Sequence, residues 1–226
     1  MTTDLSHPAL SLRPIGEIAA SLPGATGVFR KHGLDFCCGG EVALADAARA
    51  GDISLEKVET DLRALQSNQL PAAAPAETPA LIDYILERYH ESHRRELPEL
   101  VRLAQRVEKV HADHPDAPRG LADLLEQMIG ELEVHMKKEE LILFPAMRRQ
   151  GGAKFDAPII QMRHDHNDHG AHLRQIETLT GRFQLPDGAC RTWEALYAGV
   201  KKLADDLIDH VHLENNVLFP RFESRA

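Results

Sequence analysis

Cysteine is scarce in this chain: Cys37, Cys38 and Cys190 are the only three among 226 residues. So few thiols exclude a disulfide-stapled scaffold, and the adjacent Cys37 and Cys38 cannot easily close an unstrained bridge with each other. Long apolar runs are also missing. Charges interrupt every candidate, so no membrane-spanning segment is expected. The opening MTTDLSHPALSLRPIGE has no basic stretch followed by a long apolar one, so no signal peptide is expected either. Without an export signal and with so few cysteines, the expected compartment is a reducing cytoplasm. Positive charge is in deficit: the formal net charge is −9, with an isoelectric point near 5.8. That argues against non-specific grip on nucleic acid or anionic lipid. Alternating strand patterns are almost absent.

Histidine is abundant by contrast. There are 13, and 11 of them fall after residue 80. Apolar content of 43% is that of a globular protein. The stretch QSNQLPAAAPAETP (66–79) has no periodicity and reads as a linker. It separates a small N-terminal helical domain (1–65) from a larger C-terminal one (80–226). The first holds short helical patterns at Ile15–Ser21, Ala25–His32, Gly40–Ala50 and Ser54–Leu65, with Ser54 as an N-cap. The second holds four long ones, at about 79–111, 121–149, 158–183 and 191–223. In the first of these, Leu81, Ile85, Tyr89, His93, Leu97, Leu100 and Ala104 recur at three- and four-residue steps. Pro79 suits a first helical turn, and Gly151-Gly152 closes the second helix. Four such helices with short turns make an all-α, up-down-up-down four-helix bundle.

One pattern is written twice. HMKKEELILFP (135–145) and HVHLENNVLFP (210–220) both fit H-x3-E-x3-L-F-P. The duplication extends further, because His90-x2-His93 is matched by His166-x2-His169. Each half is thus a helix pair, with an early histidine on one helix and H-x3-E on the next. Counted from their turns at about 1.5 Å per residue, His90, His135, His166 and His210 fall at similar heights. Glu139 and Glu214 follow one turn later on the same face. Leu143 and Leu218, with Ile142 and Val217, continue that face as core.

Imidazoles and carboxylates buried without partners are costly, and a metal removes the cost. One H-x3-E alone is more often a helix-face contact. Two copies at matched height, each opposite a further histidine, favour metal. Four imidazoles and two carboxylates suit two first-row ions, with Glu139 and Glu214 bridging. Iron with an oxo or hydroxo bridge fits this mixed set best, although spacing alone does not separate iron from manganese or zinc. Ferritin-like Glu-x-x-His pairs occur at Glu87/His90 and Glu108/His111. Both lie on one helix, too far apart to share a site, so His111 is set aside and Glu87 is kept as a supporting group. His93 and His169 are assigned to the surroundings of the site or to packing. His164, His172 and His212 are expected in solvent. His114 belongs to a turn, and His7 and His32 lie outside the bundle.

In the N-terminal segment, HGLDFCCGGEVAL (32–44) places Cys37 and Cys38 ahead of Gly39-Gly40 and a helix. A helix N-terminus lowers thiol pKa, so these are expected to be nucleophilic or metal-binding thiolates, the alternative being a buried cysteine with an accidental neighbour. Cys190, beside a turn, is expected to be structural.

Taken together, DFCCGGE, the Ala/Pro linker, RYHESHRRELPEL, HMKKEELILFP and HVHLENNVLFP resemble the repair-of-iron-centres di-iron proteins. Those join a short cysteine-bearing domain to a hemerythrin-like bundle, and the resemblance runs from about residue 11 to 223. It implies iron ligands at His90, His135, His166 and His210, bridging carboxylates at Glu139 and Glu214, and an acidic neighbour at Asp165. It also implies a role in repairing iron–sulfur clusters after nitrosative or oxidative stress by donating iron to apo or damaged clients. The alternatives are a di-iron reductase for nitric oxide or oxygen, a redox sensor, and a metal-stapled structural bundle. His166 has Gly170 four residues on, where oxygen-carrying hemerythrins have a second histidine, which argues against plain oxygen carriage. The apolar surface of so small an N-terminal segment suggests a homodimer.

Overall fold

The structure, a computed structural model, describes residues 9–22, 24–65, 74–149 and 154–223. Among them every regular element is helical, and the protein is all-α. Most of the 66–79 stretch, Gly151-Gly152 and His7 lie outside the described residues. The chain divides into two compact units, Met1–Ala74 with Val211–Arg221, and Pro75–His210 with Phe222–Ala226.

In the first unit α1 (Ile15–Ser21), α2 (Ala25–Lys31), α3 (Leu44–Ala50) and α4 (Leu55–Leu65) surround a small apolar centre. Ile15, Ile18, Phe29, Phe36, Leu44, Val58 and Leu62 are all essentially inaccessible to solvent there. The Ser54 hydroxyl accepts from the Lys57 amide at 3.4 Å, the N-cap expected for α4. α3 begins at Leu44 rather than at Gly40. Residues 40–42 instead form a turn and bend leading to an isolated bridge of Ala43 with Pro14: the Ile15 amide donates to Val42 O at 2.9 Å and the Gly16 amide to Gly40 O at 2.8 Å.

In the second unit the helices are long. α5 comprises Thr78–Ile85, a π-helical turn Leu86–His90, and Glu91–Val110, with Pro79 in its first turn. α6 comprises Leu121–Lys138, a π-helical turn Glu139–Leu143, and Phe144–Arg149. Gly120, at φ 90°, opens it from the left-handed region where glycine carries no steric penalty. α7 runs over Asp156–Leu179. α8 runs over Arg191–His212; its last residues from Val211, the π-helical turn Leu213–Leu218 and the 3₁₀ turn Phe219–Arg221 that follow are counted with the first unit.

Cross-helix pairs show antiparallel neighbours. Arg88 meets Asp206 and Glu96 meets Lys202 between α5 and α8, while Glu131 meets His172 and Lys138 meets Asp165 between α6 and α7. Leu81, Ile85, Leu125, Met128, Leu132, Ile159, Ile176, Trp193, Val200 and Leu203 fill the centre. The π turns correct one expectation. Leu143 is buried, but Ile142 is 68% exposed. An added residue in the turn carries position 142 off the inward face and leaves position 143 on it.

Candidate metal centre

His90 lies in the π turn of α5, His135 and Glu139 at the π turn of α6, His166 on α7, and His210 and Glu214 on α8. All six are buried, with exposures of 0 to 2%. They sort into two overlapping groups, His90–Glu139–His210–Glu214 and His135–Glu139–His166–Glu214, whose ligand atoms lie within 4.8 Å of one another. In the first group Nε2 of His90 faces Nε2 of His210 at 3.2 Å. In the second, Nε2 of His166 faces Nε2 of His135 at 3.2 Å. Glu139 stands between the pairs, with Oε2 at 3.5 Å from Nε2 of both His90 and His135.

This donor set fits cations. Neither oxygen of Glu139 accepts a hydrogen bond, although the residue is fully buried. An isolated buried carboxylate costs several kcal/mol, on the order of what unpaired burial imposes, unless a cation takes its charge. Outer nitrogens turn the rings the right way. His90 donates from Nδ1 to Glu140 Oε1 at 2.8 Å, and His135 donates from Nδ1 to Asp165 Oδ2 at 3.3 Å. With the proton on Nδ1, Nε2 is the ring atom turned inward with a lone pair to offer a metal. Burial works against ionisation of Glu140, but hydrogen bonds from Arg94 and His90 outweigh it and hold the carboxyl below its ordinary range. The bond from His135, joined by Lys138 and Gln161, does the same for Asp165.

His93 and His169 are buried beside the candidate ligands, at ring distances of 5.4 Å from His210 and 5.0 Å from His135. Burial, with the neighbouring imidazoles adding to it, pushes the pKa of His93 far down and that of His169 to about 2. Both rings are therefore neutral. Three expectations for other groups change. Glu87 is exposed and supports nothing at the site. His172 is half-buried beside Glu131 at 3.3 Å. His212 is 3% exposed, set edge-on to Phe36 at 5.3 Å, and accepts from Asn216 Nδ2 at 3.1 Å. His164 is exposed, as expected. His111 sits at the turn end, with Nε2 3.2 Å from Cys190 Sγ.

In the first unit, Asp35, Cys37 and Cys38 form a third group with ligand atoms within 4.8 Å. The two thiols form no disulfide and lie 3.8 Å apart. They lie in a turn, not at a helix N-terminus, which overturns the expectation of a lowered pKa. The hydrogen bond to Cys38 first, then burial and the negative charge nearby, raises the Cys37 pKa, so this thiol is protonated at neutral pH. The turn is held from Asn215, whose amide donates to Cys37 O at 3.0 Å. Asn216 adds bonds to Phe36 O at 3.2 Å and Cys37 O at 3.3 Å. Sequence reasoning missed Glu140, Arg94 and Tyr89, since nothing local marks an acid 50 residues from its histidine partner.

A helical bundle presenting buried histidines and carboxylates in two facing sets defines a cation-binding class. Residues 81–222 match the hemerythrin HHE cation binding domain, and the chain belongs to that family. Residues 11–66 match the ScdA N-terminal domain, a domain of unknown function. Similar proteins include iron-sulfur cluster repair protein YtfE of Pectobacterium atrosepticum, 44% identical over 209 residues, covering 92% of this chain and 95% of that one. The protein of the same name from Edwardsiella ictaluri is 47% identical over 211 residues, covering 92% and 96%.

Proposed function

We propose that this chain repairs iron–sulfur clusters by carrying two iron ions and giving iron up to apo or damaged cluster proteins. One ion would lie between His90 and His210, the other between His135 and His166, with Glu139 and Glu214 shared. The observation that supports this most is Glu139, a fully buried carboxylate without a hydrogen bond, equidistant from two histidine nitrogens on different pairs. The names of the relatives, which cover nearly the whole chain, support the repair role. Bound iron would supply exchangeable cation and redox chemistry. The chain's own groups fix the Nε2 lone pairs inward and keep the surrounding imidazoles neutral. Histidine and carboxylate hold iron only through unprotonated lone pairs, so such a site can both load and yield its cargo.

Cys37 and Cys38, with Asp35, are the groups proposed to take part in transfer. Each thiol that takes up iron gives up a proton, and metal reverses the raised pKa that the apo thiol shows. The small N-terminal domain (1–65) would thus be the transfer module and the bundle (80–226) the store. Among the described residues no helix is long and apolar enough to cross a membrane, which suits a cytoplasmic client pool.

Cluster formation in an apo iron–sulfur protein, with sulfide supplied and the iron-loaded chain as sole iron source, tests the reading. The parent is expected to build clusters and Glu139→Ala to fail. A Cys37→Ser/Cys38→Ser double variant that transfers iron at the parent rate would remove the cysteines from the scheme.

A further inference from the structure

The internal repeat makes the two metal positions look equivalent, but the residues around them are not. Aligning the two halves pairs Tyr89 with Asp165, Arg94 with Gly170, and Glu140 with Asn215. At each of these places one half carries a different kind of group. The differences act on opposite metal positions.

Around His90 and His210 the surroundings are aromatic and clamped. Tyr89, 5% exposed, stacks on His210 with ring centres 5.3 Å apart and planes 5° apart. Phe144 lies over His90 at 6.0 Å. Glu140, which accepts from His90 Nδ1, is itself gripped through both oxygens by Arg94 at 2.7 and 3.1 Å. Arg94 is fixed in turn by Glu133 at 2.7 Å. A forked guanidinium on a carboxylate is a directional, charge-assisted pair, so His90 has almost no freedom to turn away.

Around His135 and His166 the surroundings are polar and open. No arginine can act at Gly170. Asn215 spends its amide on the Cys37 carbonyl. His135 is anchored by the longer 3.3 Å bond to Asp165, whose same oxygen also accepts from Lys138 at 2.8 Å. Lys138, at 40% about as exposed as Arg94 at 35%, holds one oxygen of Asp165 through a single flexible ammonium, and Gln161 Nε2 donates to the other at 2.8 Å, so no guanidinium fork fixes this carboxylate. A cavity of about 400 Å³ reaches this side, lined among others by Glu131, Lys138, Asp165, Asp168 and His169. Its three carboxylates against one ammonium favour a cation, and water admitted there can replace ligands stepwise.

We infer that the two ions are unequal: the one between His135 and His166 is released first, and the Arg94–Glu140 clamp on His90 retains the other. This rests on the two-ion reading above and adds which ion is the cargo. Glu140 and Arg94 are positioning residues, acting through His90.

The test uses the full chain, loaded anaerobically with two ferrous ions per molecule and challenged with a chelator in excess. Iron should leave in two phases at least about ten-fold apart in rate. Crystals of half-depleted protein, measured at the iron absorption edge, should show an anomalous peak between His90 and His210 and none between His135 and His166. In Glu140→Gln the slow phase should speed up toward the fast one while the fast phase stays unchanged; Asp165→Asn should accelerate only the fast phase. Equal peaks, a peak remaining on the His135–His166 side, or an unaltered slow phase in Glu140→Gln overturns the inference. The diffraction result on the parent protein stands whether or not the variants fold. A chain that binds fewer than two ions removes the two-ion reading and this inference with it. Two ions lost together contradict this inference alone.

Discussion

Asp206 receives Arg88 on both of its oxygens, at 2.6 and 3.0 Å, and Lys202 at 2.8 Å. Burial works to raise its pKa, but the two cations prevail and hold it below the ordinary carboxylate range. A carboxyl with a lowered folded pKa adds stability above its unfolded value, near 3.9, and loses it as pH falls through the folded one. Asp206→Asn is therefore expected to cost about 1–2 kcal/mol at pH 7 in urea unfolding, since charged hydrogen bonds are lost. The gap from the parent should narrow below pH 4; a gap that stays constant down to pH 3 contradicts the assignment. A second residue-scale expectation concerns Gly40. A Cβ there would run into Asn216 Oδ1 and Phe36 O. Gly40→Ala should thus disturb the amide that holds the Cys37 carbonyl, cost about 1–3 kcal/mol as overpacking does, and speed alkylation of Cys37. Parent-like stability and alkylation together would count against the Asn216 clamp.

The π turns belong to the scale of elements. His90, Glu139 and Glu214 all lie within them, whereas α7, which carries His166, has none. Removing Leu141 by deletion, an exposed residue inside the α6 turn, should restore an α-helical period without touching the core. Helical circular dichroism is expected to persist while metal stoichiometry falls below two. Full loading of the deletion variant would show the turn to be dispensable. These turns explain what could be read from sequence. The long amphipathic periods marked the four helices, and the doubled H-x3-E marked residues that the structure brings together. One extra residue inside a helix leaves no mark in apolar spacing, so Ile142 was assigned inward and is exposed. His212 was expected in solvent because helix phase alone cannot reveal the Phe36 ring that covers it. Glu140 stayed hidden for a related reason: its partners His90 and Arg94 lie on another helix.

At the scale of the whole molecule, metal bound by the six buried side chains would couple to the fold. A ligand bound to the native state alone stabilises it by about 4 kcal/mol at a thousand times its dissociation constant. For a chain of this length 1 kcal/mol moves the midpoint by roughly 2–4 °C. Stripping iron should lower the bundle's melting temperature by roughly 8–16 °C, read by calorimetry on loaded and stripped protein. Identical melting of the two forms would mean that the buried carboxylates are satisfied without metal. The central claim, two irons per chain held by six named residues, is reached most directly by counting metal on protein purified anaerobically. The account predicts two irons per chain, falling to one or fewer in Glu139→Ala and in Glu214→Ala. Two irons retained in either variant, or none in the parent, would contradict it.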